Sequence, residues 1–198
     1  MGGATIAKVR MRECAKARRR EGAMVRRRDG AKANEMTTTT IASNPYAPDL
    51  GDRDPVGSLR ETPDRYAALL SGWTFEQFER PYAPGKWTAR QVLIHLAQAE
   101  LMIQPRVRLA LTSTDYVVQP FEQDDLVALE PSVDARTALA TYRALRQFGL
   151  PLFESLTPAQ LAVTCRHPQM GALDVRWFLV MLAGHELRHL AQLEALGT

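Results

Sequence analysis

Apolar residues recur at spacings of three and four through most of the chain beyond residue 60, and each such run predicts an amphipathic helix. In the first run Tyr66, Leu69, Leu70 and Trp73 share a face, with Thr62 placed as the N-cap, Pro63 in the first helical position and Gly72 as the stop. A second run opens on a capping box formed by Thr88 and Gln91, with Trp87 and Val92 spaced as a hydrophobic staple. Its apolar face runs through Val92, His95, Leu96, Ala99, Met102 and Ile103, and Pro105 should kink or end it. A third run spans Asp134 to Ser155, with Leu139, Tyr142, Leu145 and Phe148 on its inner side and a bend at Gly149 and Pro151. The last runs from about Asp174 to Leu196 with Gly197 as its cap.

The connections read differently. Residues 112–132 are punctuated by Pro and Asp, with a short extended piece at Tyr116 to Val118, and the segment around His167 and Gly171 reads as a loop. Four long apolar-faced helices without a series of strands predict an all-α antiparallel four-helix bundle over residues 55–198. Residues 36–54, rich in Thr, Pro, Asp and Gly, read as a lead-in linker.

Charge divides the chain. The whole carries +3, but residues 1–35 hold 11 basic and 4 acidic side chains, and residues 36–198 hold 14 and 18. The first 35 residues contain no aromatic side chain and a near-repeat, RRREGAMV followed by RRRDGAKA, so they read as a disordered basic tail or a start assigned before Met36. Nucleic-acid binding is expected only through that tail, if at all. Cys14 and Cys165 make no disulfide framework, and no stretch is apolar enough for a membrane span or a secretory leader. A cytoplasmic location follows as an expectation.

Chemistry concentrates in the histidines. His185 and His189 lie four apart, about 40° apart in azimuth on one helical face, close enough to share a metal ion. They align with Phe178, Met181, Leu182 and Leu193, so they point inward. One histidine on an apolar face is usually a hydrogen-bonded core residue, but a pair joined by a third, His95, favours a cation held by three imidazoles with an open position. His185 to His189 also match the H-E-x-x-H pattern of zinc proteases, with Glu186 as the base. Against that reading, only nine residues follow His189, and none is a histidine. His167, before Pro168, reads as a non-ligand, and Cys165 as a packing thiol.

The stretch RPYAPGKWTARQVLIHLAQAE from Arg80, the Arg-His-Pro-x-x-Gly loop from Arg166 and the terminal His-Glu-Leu-Arg-His-Leu-Ala-Gln run from His185 together resemble the DinB-like superfamily. That family of metal-binding four-helix bundles includes the YfiT-type proteins. The resemblance implies a divalent metal, zinc or nickel, held by His95, His185 and His189. It also implies a small-molecule substrate, a homodimer and a role in stress response, with a low-molecular-weight thiol as a candidate co-substrate. The activity it implies is a thiol-dependent S-transferase or a hydrolase, the alternative being a non-catalytic stress or binding protein braced by its metal. Glu186 is open to three readings: a base, a partner that orients an imidazole, or a solvated helix charge. Gln192 either lines the site or packs.

Overall fold

The computed structural model describes residues 39–197; the predicted basic tail and Cys14 lie outside them. The elements in chain order are α1 (Ala47–Leu50), α2 (Pro55–Leu70), α3 (Phe75–Phe78), α4 (Ala89–Thr112), α5 (Gln123–Ala128), α6 (Ala135–Ser155), α7 (Pro158–Leu161), β1 (Thr164–His167), β2 (Gly171–Asp174) and α8 (Val175–Leu196). The four long helices pack in the cyclic order α2, α6, α4, α8. Helices α2 and α4 therefore face each other across a diagonal, as do α6 and α8. A simple up-and-down bundle would place α2 beside α4, so the long connections carry the chain across the bundle end.

Local signals start these helices as their chemistry requires. The hydroxyl of Thr88 accepts from Gln91 N at 3.2 Å, and the Gln91 side chain accepts from Thr88 N at 2.9 Å. Asp134 and Asp174 cap α6 and α8 through the backbone N–H groups of Thr137 and Trp177. The first long helix departs from expectation. It begins at Pro55 rather than Pro63, because Asp54 accepts from Gly57 N at 2.6 Å and caps it, and Pro63 sits in its interior. Pro105 and Pro151 are likewise interior, and neither ends its helix. Both lie on exposed faces, as do the residues four before them, Leu101 and Gln147, so water can satisfy the carbonyls they leave without a donor. Pro63 is buried, and the carbonyl it strands, that of Leu59, accepts instead from Arg146 Nη1 at 2.9 Å.

Two further expectations change. The segment around His167 and Gly171 is an antiparallel hairpin, paired from Thr164↔Asp174 to His167↔Gly171, with Gly171 at φ 88°. The predicted extended piece pairs beside it: Val118 N donates to Arg166 O, and Arg166 N to Tyr116 O. The second change concerns residues 39–54 of the predicted lead-in, which pack on the bundle. Ile41 pairs with Ala172, Leu50 is buried, and a Cβ on Gly184 would lie 2.0 Å from Tyr46 O. Only glycine lets α8 and the Tyr46 backbone approach that closely. Phe148, placed inside by the apolar pattern, is exposed, and the Arg108 guanidinium lies 5.2 Å from its ring centroid.

The core has two apolar halves. One gathers Leu59, Val107, Phe153, Leu173, Phe178 and their neighbours at the hairpin end; the other gathers Tyr66, Leu70, Val92, Ala138, Leu193 and theirs. Between them lies a polar layer to which every long helix contributes. Arg146 of α6 pairs with both Glu100 of α4 and Glu186 of α8, and all three side chains are almost wholly buried. Glu186 also accepts from Thr62 Oγ1 at 2.5 Å and from Tyr142 OH at 2.9 Å, while Glu100 accepts from Gln104 Nε2 at 2.7 Å. Burial pulls the Arg146 guanidinium down, but Glu186 and Glu100 outweigh it and hold the cation firmly protonated. With two carboxylates to one cation, burial pushes Glu186 up despite Arg146. Removing one partner from such a buried set leaves charge without compensation. Arg146→Met is therefore expected to cost about 3–5 kcal/mol, read from urea unfolding. Arg143→Met, which breaks only the exposed pair with Asp64, should cost under about 1 kcal/mol.

Candidate metal centre

Helix α8 is buried on nearly every side, so its turn through residues 185–189 sends side chains in two directions. Glu186 points to the polar layer. His185 and His189 point toward α4, where they meet His95. His95 Nε2 lies 2.7 Å from His185 Nε2, which lies 3.0 Å from His189 Nε2, and the three potential ligand atoms all fall within 4.8 Å of one another. Nitrogens on one tetrahedral ion at bond lengths of about 2.0–2.1 Å sit about 3.3 Å apart, so the two short separations fall about 0.6 and 0.3 Å inside that spacing, and small side-chain adjustments would open them to it.

Protonation favours the same use. Burial holds His95 down to about 3 and His189 down to about 4, and pushes His185 well below the ordinary histidine value. Mutual repulsion among the rings and with Arg188 adds to this. All three imidazoles are neutral near pH 7, the form that binds metal. Gln192 Oε1 lies 2.7 Å from His189 Nδ1 and can only accept there, which places that ring's proton on Nδ1 and leaves Nε2 bare. Gln192 thus orients a candidate ligand. His185 Nδ1 has no hydrogen-bond partner.

The surroundings are aromatic. Trp87 packs against His95 and His189 with centroid separations of 4.7 and 6.4 Å, and Tyr46 meets His185 edge-on at 5.1 Å. Trp87 belongs with the second apolar half as the staple reading requires, and it also covers the histidines. A cavity of about 290 Å³ opens on His95 and His185, bounded by Tyr46, Ile103, Phe178 and Met181 among others. A second, of about 320 Å³, touches His189, Trp87 and Gln192 from the other side.

Other predicted residues fall into place. Glu186 is neither solvated nor bonded to a histidine: Arg146, Thr62 and Tyr142 occupy its carboxylate, which leaves the base and imidazole-partner readings without a contact. His167 lies on β1 outside the three-histidine cluster, and Cys165 is buried, with burial pushing its thiol up. Sequence reasoning missed Tyr46, Glu100 and Arg146. Arg146 had a signal, since it falls on the buried stripe of Ala138, Tyr142, Gly149 and Phe153. Tyr46 had none, because its segment carries no periodicity.

The sequence profile of the DinB superfamily matches residues 58–193, most of the chain and all three histidines. The chain belongs to the DinB superfamily. It is 29% identical over 122 residues to an Oceanobacillus iheyensis protein named "Putative metal-dependent hydrolase", covering 61% of this chain and 71% of that one. A protein of the same name from Geobacillus thermodenitrificans is 29% identical over 147 residues, covering 71% and 81%. Among solved structures, YfiT from Bacillus subtilis, described as a probable metal-dependent hydrolase with an unusual four-helix bundle topology, superimposes with a TM-score of 0.66. It shows 23% identity, covering 84% of this chain and 91% of that one. A mycothiol-dependent maleylpyruvate isomerase matches with a TM-score of 0.58 at 14% identity, covering 74% and 62%. These two structures share the fold with this DinB-superfamily chain. No helix among the described residues is long and apolar enough to cross a membrane.

The Gln192 contact gives this centre a test that leaves its ligands in place. Gln192→Leu should weaken divalent-metal binding about 10–100-fold, measured by competition with a chromogenic chelator. An unchanged affinity would show that the tautomer of His189 is set by something else.

Proposed function

We propose that the chain is a metal-dependent enzyme acting on a small molecule, with a divalent ion held by His95, His185 and His189. The observation that carries this reading is the convergence of three buried, neutral imidazoles, two of which, His95 and His185, stand at the wall of a cavity. The donor set fits: three nitrogen ligands leave a fourth position for water or substrate. A bound ion there supplies Lewis acidity toward a carbonyl and lowers the pKa of a coordinated water or thiol.

The chain's own groups do the rest. Gln192 keeps the His189 lone pair available, Trp87 and Tyr46 shield the rings from bulk water, and the apolar wall of Ile103, Phe178 and Met181 receives the body of the substrate. Glu186 has no part in proton transfer on this reading, because Arg146 holds it. Hydrolysis is the favoured reaction class, supported by the names of the sequence relatives. Thiol-dependent transfer is the second reading, in which a low-molecular-weight thiol would be co-substrate; the thiol dependence named for the isomerase neighbour is its support.

Elemental analysis of the purified full chain should find a stoichiometric divalent metal, and His189→Ala should lose it. Chelation should lower the unfolding temperature, since a ligand at 100 times its Kd contributes about 2.7 kcal/mol. Assays of esters and amides, with and without added thiols, then separate the readings. Turnover without thiol supports hydrolysis, and turnover only with thiol supports transfer. A large stability loss on chelation with no turnover would favour an ion that merely braces the bundle.

A further inference from the structure

The cavity on His95 and His185 is lined by a cationic side chain, Arg106, that has no counter-charge among the described residues. Arg106 lies on the same stripe of α4 as His95, with Ala99 and Ile103 between them, and all four line the cavity. Eleven residues along a helix span about 16 Å, and helical side chains lean toward the N-terminus, so Arg106 leans back toward the histidines. Its side chain is largely buried, one nitrogen donates to Gln119 O at 2.6 Å, and its guanidinium lies 4.8 Å from the Phe121 ring centroid. Among the described residues no carboxylate pairs with it. Glu122 borders the same cavity but is exposed and makes no ion pair with Arg106.

His167 stands on the same wall. Its Nδ1 accepts from the backbone N–H groups of Gln169 and Met170, both at 3.3 Å, so its proton sits on Nε2, which has no hydrogen-bond partner among the described residues. Val117 pairs in parallel with Arg166, and Val118 N donates to Arg166 O, so Gln119, whose carbonyl holds Arg106, and His167 each lie just beyond the same paired stretch. Burial pulls the Arg106 guanidinium down, and the groups that pull it back, Tyr116 and Cys165, are neutral near pH 7. A buried cation without a counter-charge is costly unless a ligand brings one.

We propose that Arg106 and His167 form an anion subsite, and that the substrate is a small organic carboxylate whose apolar body lies along Ala99 and Ile103. The reacting end would then sit at the histidines, the one part of the inference that rests on the function proposed above. One guanidinium edge and one imidazole N–H match a planar monoanion. They provide too few donors for a phosphate dianion.

Calorimetric titration of the full chain with hexanoate, hexan-1-ol and butyl phosphate tests this. Hexanoate should bind at least tenfold more tightly than hexan-1-ol; Arg106→Gln should abolish that preference, and His167→Gln should reduce it. If Arg106→Gln fails to fold, the His167→Gln titration decides, an undiminished preference counting against the subsite. Tighter binding of butyl phosphate than hexanoate would overturn the carboxylate assignment. Equal binding of hexanoate by wild type and Arg106→Gln would overturn the subsite. The preference should persist after chelation. Its loss on chelation would place the anion on the metal instead, whereas its survival in a chain shown to bind no metal would leave the subsite standing and sink only the metal reading.

Discussion

The arrangement of this bundle depends on satisfying Arg146 at its centre. A guanidinium buried among four helices needs acceptors on all sides, and it finds them on three other elements: Glu100 on α4, Glu186 on α8 and the Leu59 carbonyl on α2. The last of these exists because Pro63 cannot donate. Each contact restricts how its helix can rotate. Hydrophobic burial alone would tolerate many rotations of α8, which is apolar almost all round; an ion cluster tolerates few.

The rotation of α8 in turn sets the candidate metal centre. Successive helical residues differ by about 100° in azimuth, so a Glu186 locked on the bundle axis turns His185 and His189 together to one side. That side faces His95. The charged layer and the imidazole cluster are therefore neighbours with opposite chemistry, one ionised and densely hydrogen-bonded, the other neutral. Their separation matters, because Glu186 is committed to Arg146 and the group that orients an imidazole of the cluster is Gln192 instead.

Much of this was legible in the chain. Helix periodicity and caps located α4, α6 and α8, and the inward azimuths of His95, His185 and His189 predicted their meeting. What was not legible has physical causes. The signal at Thr62 and Pro63 was genuine helix-start chemistry, but Asp54 and Pro55 carry the same signal a turn and more earlier, and local propensity cannot say which start wins. The hairpin at 164–174 is short, and its outer edges are bridged by Ile41 and Val117, residues distant in sequence. Residues 39–54 have no pattern of their own, since glycine at 184 and the surface of α8 decide where Tyr46 lies.

The H-E-x-x-H run shows why spacing needs azimuth beside it. In that pattern the glutamate must reach a water on the ion held by the two histidines. Here the same five residues lie on a helix buried on both relevant sides, and the glutamate belongs to the other side. Its neighbours complete the distinction: Thr62, Tyr142 and Arg146 give it four hydrogen bonds, enough to fix it and none directed to an imidazole. A zinc protease would leave that glutamate open to its cavity. This chain instead uses it to hold the helix that carries two of the candidate ligands, so its contribution to the site is mechanical: it turns His185 and His189 toward His95.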